Sequence, residues 1–171
     1  MPTRLPPPLR YPCRLALLAA AATAMAAPGP AAAQSTMTLR ANVTRSCNLG
    51  ALPLMFGTVS LVNPIANAQT TLIIDCTPNT AFTVTMDDGL NAKNGARRMA
   101  NALANGVREY LEYEVYRDAA RSQRWGATAA AGISRTAPAD GRVVLTAYGR
   151  VDGKRTIASR YEDLITVTIS F

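Results

Sequence analysis

The chain has 171 residues, with 18 basic against 11 acidic side chains and no histidine. That length is one domain's worth, and the missing imidazole removes the commonest general base and metal ligand. The net charge of +7 is not gathered into Lys/Arg runs interleaved with aromatics, so nucleic-acid binding has little support.

The first stretch reads as a targeting segment. Arg4, Arg10 and Arg14 make a positive n-region, Leu15 to Ala27 is an apolar run too short to span a membrane comfortably, and Ala31-Ala32-Ala33 offers a small-residue cleavage site. The expectation is a cleaved secretory signal over residues 1–33 and a mature domain over 34–171. A retained anchor is the alternative, opposed by Pro28 and Pro30 breaking the run. Cys13 precedes the apolar run and does not fit a lipoprotein site. Loss of the three arginines leaves 15 basic against 11 acidic residues, a milder +4. No later stretch is apolar over a membrane-spanning length.

Cys47 and Cys76 then remain as an even pair in an oxidising compartment, where a disulfide is the preferred reading. A metal or redox pair is the alternative, weakened by the absence of His and of Cys-x-x-Cys spacing.

From Gln34 onward the pattern is short strands and turns. Met37, Leu39, Ala41 and Val43 alternate with Thr38, Arg40, Asn42 and Thr44, which predicts a first strand running up to Cys47. Leu52 to Phe56 follows as an edge or irregular strand because of Pro53, closed by Gly57. Thr70 to Cys76 reads as a nearly continuous apolar strand. Phe82, Val84 and Met86 alternate up to the turn signal Asp88-Gly89. Asn91 to Gly106 reads as loop, although Arg97 to Ala104 could make two helical turns. Leu111, Tyr113 and Val115 alternate with Glu112, Glu114 and Tyr116 in a clear strand; Ala127 to Gly132 reads as loop; Val143 to Val151 is a strand interrupted by Gly149 and turned at Asp152-Gly153. The last stretch is the most regular, with Ile165, Val167, Ile169 and Phe171 on one face and Leu164, Thr166, Thr168 and Ser170 on the other. Seven or so strands spaced by Gly, Asn and Asp turns predict an all-β sandwich. An uncovered apolar strand at the end of the sequence is an aggregation hazard, so an earlier segment or another molecule should cover it.

Catalytic constellations are lacking. There is no Gly-x-Ser-x-Gly elbow, P-loop or Gly-x-Gly-x-x-Gly. Asp87, Asp88, Asn91 and Asn94 lack calcium-loop spacing and fit turn chemistry. Glu112 and Glu114 could pair as catalytic carboxylates, yet a solvated face neutralised by neighbouring Arg is the stronger reading. Asp118 with Arg117 and Arg121 reads as a surface charge cluster, and Trp125 as a core or corner aromatic. No enzymatic activity and no cofactor are expected.

A family resemblance accounts for the pattern. Leu111-Glu112-Tyr113-Glu114-Val115-Tyr116-Arg117-Asp118-Ala119-Ala120-Arg121 followed by Trp125-Gly126 resembles the signature of spore coat protein U (SCPU) domains, which include subunits of archaic, Csu-type chaperone–usher pili. Cys47 followed by Pro53-Leu54-Met55-Phe56-Gly57-Thr58, Ile74-Asp75-Cys76, Arg97-Arg98-Met99, Tyr148-Gly149-Arg150-Val151 and Tyr161-Glu162-Asp163 are similar to further elements of that family, in the same order.

The resemblance implies an incomplete immunoglobulin-like β-sandwich that lacks its final strand and receives one by donor-strand complementation. It implies a periplasmic chaperone, an outer-membrane usher and neighbouring subunits as partners, and a secreted surface fibre or coat serving adhesion or biofilm formation. Ile165, Val167, Ile169 and Phe171 would line the acceptor groove, Met37, Leu39, Ala41 and Val43 would be the donor side chains, and Cys47–Cys76 would staple the sandwich. A first strand from Leu39 to Cys47 leaves only Gln34 to Thr38 as donor, so either Met37 to Val43 serves as both donor and first strand or the signal is cut earlier. A subunit that accepts a donor without polymerising, such as a terminal adhesin-like or spore-coat domain, is the alternative.

Overall fold

Alternating β-branched and aromatic residues, punctuated by turn formers, leave this chain few options besides sheet. The computed structural model describes residues 29, 32–60, 62–101, 106, 108–153 and 157–171. The apolar run read as a signal lies outside these residues, as do Arg4, Arg10, Arg14 and Ala31. The chain divides into an N-terminal unit, Met1–Ala41, and a second unit, Asn42–Phe171. In the first, residues 32–41 are exposed and carry no regular secondary structure.

The second unit holds nine strands among the described residues: β1 (Cys47–Ala51), β2 (Ile65–Cys76), β3 (Ala81–Met86), β4 (Arg97–Asn101), β5 (Tyr110–Tyr116), β6 (Ile133–Thr136), β7 (Arg142–Asp152), β8 (Tyr161–Glu162) and β9 (Val167–Ser170). They form a six-stranded sheet ordered β1-β2-β7-β5-β4-β8 and a three-stranded sheet ordered β6-β3-β9. All the pairings are antiparallel. The sandwich core lies between the two sheets. Leu72, Ile74, Leu111, Val115, Leu145 and Val151 come from the larger sheet, and Phe82, Val84, Met86 and Ile133 from the smaller, all buried. Each such side chain contributes roughly 1.5–3 kcal/mol of transfer free energy. Trp125 is fully buried and its indole N–H donates to the Val84 carbonyl at 2.9 Å.

Cys47 and Cys76 face each other across the β1–β2 register and form a disulfide. The closed loop spans 29 residues, which stabilises by about 3–4 kcal/mol in the chain-entropy picture.

The structure departs from the sequence reading at four places. Among the described residues no strand precedes Cys47: the alternation from Met37 to Val43 is real, but a strand needs a partner ladder and no described element of the sheets pairs with it. Arg97–Asn101, read as loop, is β4. Its leading residue is a cation, so propensity hides the strand, yet Arg97 is 1% exposed and buried with partners that satisfy it. The short strands β6 and β8 had no periodic signal strong enough to mark them. Finally, Gly149 does not interrupt β7, which runs unbroken from Arg142 to Asp152. Leu52 to Ser60 is irregular, as Pro53 requires, and Gly57 takes a left-handed φ of 73°. Ala129–Ala131 forms a single 3-10 turn inside the predicted loop.

Candidate functional site

One large cleft, with a volume of about 1370 Å³, opens between the two sheets. Its floor is laid by the inward residues of the strands: Leu111, Tyr113 and Val115 from β5, Met99 from β4, Ala147 and Val151 from β7, and Met86 from β3. Alternation explains the set, because residues two apart on a strand share a face. One wall is the irregular segment Leu52–Ser60, and the other is Ile157–Val167 leading into β9.

The first wall can lie where it does because glycines lie beneath it, Gly149 within β7 and Gly153 just past its end. A methyl group at Gly149 would stand 2.7 Å from Leu54 Cδ2 and from Phe56 Cε1, and one at Gly153 would meet Val59 Cγ2 at 2.7 Å. Leu54, Phe56 and Val59 pack against the core, while Leu52 and Met55 stay exposed. The wall is tied at its ends, Leu52 N–H to Thr71 O and Ser60 N–H to Asn63 O. Among the described residues, no backbone hydrogen bond is made between those ties.

The second wall is tied by polar contacts to the floor. Tyr113 Oη donates to Asp163 Oδ2 at 2.6 Å, and Asp163 Oδ1 accepts from Asn91 N–H and Nδ2 at 3.1 and 2.8 Å. Burial, then the hydrogen bond to Asp163 and that carboxylate's charge, push the Tyr113 phenol well above its usual range. The Phe56 ring meets Tyr113 edge-on at 6.1 Å, so this tyrosine touches both walls. Asp87 accepts the N–H groups of Thr166 and Gly89 at 2.9 and 3.0 Å. Burial raises the Asp87 carboxyl, but the hydrogen bonds from Thr166 and Gly89 and the Arg97 charge outweigh it and hold the group below its usual value.

Arg97 anchors the same end from inside. Its guanidinium donates to the carbonyls of Asp87 and Trp125 at 2.6 and 2.7 Å and pairs with Glu114. Glu114 also accepts from Arg124, which reaches Asp88 at 2.8 Å. Glu114 and Asp88 are therefore occupied in tying loops together, and Glu112 lies opposite Arg98 in register. Asp118 accepts from the Ser122 and Gln123 N–H groups, shaping a turn, and Arg117 and Arg121 donate to backbone carbonyls.

The closing strand behaves as its alternation predicts. Ile165, Val167 and Ile169 are half-buried and packed on the core, and the intervening Thr168 and Ser170 are exposed. Ile165 and Val167 line the cleft; Ile169 lies opposite Val84, farther along β9. Phe171 is 54% exposed at a separate shallow hollow beside Phe82 and Arg135. β9 pairs only with β3, and its other edge carries no strand among the described residues. Met37, Leu39, Ala41 and Val43 stand exposed outside both sheets. The alternation of β5 could have singled out Leu111, Tyr113 and Val115 as cleft residues in advance. Asp163 and Phe56 carried no such signal, since both act through contacts across the fold.

Comparison with known proteins fits this architecture. Among curated proteins, none matches the sequence. Among solved structures, the chain is similar to one from the CsuC–CsuE chaperone–tip adhesion subunit pre-assembly complex of the archaic chaperone–usher Csu pili of Acinetobacter baumannii. The TM-score is 0.56 and the identity 22%, over 75% of this chain and 40% of that one. It spans less than half of its solved relative, and the likeness supports the fold alone. A fainter similarity, TM-score 0.42 at 11% identity over 72% of this chain and 38% of the other, is to a chaperone–tip adhesin complex of CFA/I fimbriae and adds nothing to the fold assignment. The Spore Coat Protein U domain matches residues 33–168, nearly the whole sequence, and the chain belongs to that family.

Proposed function

We propose that this protein is a structural subunit of a chaperone–usher surface fibre, completed by a strand from another molecule. The observation that carries this reading is the open cleft beside the unpaired edge of β9, walled by Ile165 and Val167 and floored by the core itself. A strand laid there would bond to β9 and, on its other side, to the unbonded backbone between Leu52 and Ser60. Backbone hydrogen bonds would supply affinity, and alternate side chains would set register. A periplasmic chaperone fills the cleft first, and at an outer-membrane usher the N-terminal segment of the next subunit replaces it.

The N-terminal segment suits the donor role. With β1 starting at Cys47, all of Gln34 to Ser46 lies outside the sheets once a signal over residues 1–33 is removed. Thirteen residues extend over roughly 40 Å, ample for a strand running past β9. Met37, Leu39, Ala41 and Val43 would point into the cleft. The protein passes through the periplasm to the cell surface, where the fibre serves adhesion or biofilm formation.

The test is periplasmic expression with and without the chaperone encoded beside the subunit, followed by size-exclusion chromatography. A discrete 1:1 complex, with aggregation or degradation in the chaperone's absence, is the expected result. A stable monomer without any chaperone would mean that the sandwich is self-complete.

A further inference from the structure

A second feature lies on the outer side of the six-stranded sheet, on the face opposite the cleft floor. Along β7, Ala147 and Val151 turn inward, so Tyr148 and Arg150 turn out; along β5, Val115 turns inward and Tyr116 out. The register sets Tyr116 directly opposite Tyr148, and on the other flank of β7 it sets Gln69 opposite Tyr148. Three neighbouring strands thus present Gln69, Tyr148 and Tyr116 in one rank, about 10 Å across at the usual strand spacing. The next rank holds Asn67 opposite Arg150. The guanidinium of Arg121 sits 5.9 Å from the Tyr148 ring centre, steered there by its bond to Gly149 O at 3.1 Å.

Within these two ranks Glu114 is the one carboxylate; Glu112 and Asp152 turn to the same face one step farther along β5 and β7. Glu114, opposite Arg150 in register, is spent on Arg97 and Arg124. Asp118 is spent on its own turn. Among the described residues, no carboxylate forms an ion pair with Arg121 or Arg150. Two tyrosine rings, two side-chain amides and two guanidiniums with no ion-paired carboxylate among the described residues remain on this face.

We propose that this face binds a carboxylated polysaccharide. Tyrosine rings offer apolar faces to the C–H side of a pyranose while their hydroxyls stay wet. Guanidiniums match carboxylates in a two-pronged geometry that a neutral sugar cannot use. Amides at Asn67 and Gln69 can donate to and accept from ring hydroxyls. An open sheet face, unlike an enclosed pocket, suits an extended polymer over a compact ligand.

The experiment titrates the chaperone-bound or otherwise monodisperse mature chain calorimetrically with oligogalacturonate, with dextran of matched length, and with a single-stranded oligonucleotide of matched charge. Oligogalacturonate should bind about tenfold or more tightly than either control, and Tyr148→Ala and Arg150→Gln should each weaken it by about fivefold. Tyr148→Phe, which keeps the ring, should bind nearly as wild type and guards against a misfolded alanine variant. Absent binding, equal binding of the oligonucleotide, or indifference to both substitutions would overturn the proposal. Because the face is separate from the cleft, chaperone capture by these variants should be unchanged, so this inference and the fibre reading fail independently.

Discussion

The Tyr113 hydroxyl donates to the Asp163 carboxylate at 2.6 Å, tying the floor of the cleft to the wall that becomes β9. Tyr113→Phe should therefore loosen this wall and cost about 1–2 kcal/mol, the penalty for leaving a partly buried acceptor short of a donor. The pH dependence has a definite sign. Because folding raises the phenol's pKa, its contribution is complete below the unfolded value of about 10 and fades as the pH climbs through the folded one. Urea midpoints followed from neutral into alkaline solution should fall less steeply in Tyr113→Phe than in wild type. Identical alkaline slopes would show that this phenol does not couple to folding.

Arg97 is a cation with a fully buried side chain, spent on carbonyls from two loops and on Glu114. Removing it as Arg97→Met should destabilise by about 3–5 kcal/mol, because the Asp87 and Trp125 carbonyls lose this donor and Glu114 keeps only Arg124 as an ion-pair partner. Arg97→Lys should rescue little, since an ammonium cannot span the same fork of acceptors. Thermal melts of the two variants in the chaperone complex would measure both effects.

Gly149 is the floor under Leu54 and Phe56. Gly149→Ala would place a methyl 2.7 Å from both side chains, forcing the Leu52–Ser60 wall outward at a cost of roughly 1–3 kcal/mol. Hydrogen exchange should rise at the Leu52 and Ser60 N–H groups, the two backbone ties of that wall. Unchanged protection there would mean that the wall is already free.

Val167 lines the cleft and Ile169 packs on the core farther along the same face of β9. An aspartate at either position puts an unpaired charge where an apolar strand must seat. Both Val167→Asp and Ile169→Asp should abolish capture by the chaperone in pull-down. Capture at wild-type levels by both would sink the assignment of β9 as the acceptor strand.

Cys47→Ser should lower stability by about 3–4 kcal/mol without changing which strand the cleft accepts, because neither cysteine lines the cleft, although the loop they close carries its Leu52–Ser60 wall. Denaturation under oxidising conditions, paired with a competition assay using a donor peptide, separates the two quantities.

The sequence made the period-2 strands legible because β2, β3, β5, β7 and β9 each bury one face, and burial is what writes alternation into residues such as Leu111-Glu112-Tyr113-Glu114-Val115. It misled where two signals conflict. Met37 to Val43 alternates as cleanly as β9 does, but alternation records a face that needs covering, not which molecule covers it. β4 was hidden by Arg97-Arg98, charges that only tertiary partners make acceptable. The cleft's polar ties were invisible for another reason: Tyr113 and Asp163 stand 50 residues apart, and nothing local in either points to the other.

Trp125 is the chain's single tryptophan, fully buried and bonded through its indole to Val84 beneath the core. Met86, two residues beyond Val84 on β3, reaches the cleft, and the Trp125 carbonyl is held by Arg97. The protein thus carries one fluorophore at the hinge of its polar network. Its emission should be blue and narrow while the sandwich holds, and any loss of β3 packing should appear as a red shift with no background from other indoles. Strand entry and release could then be timed on the unlabelled subunit.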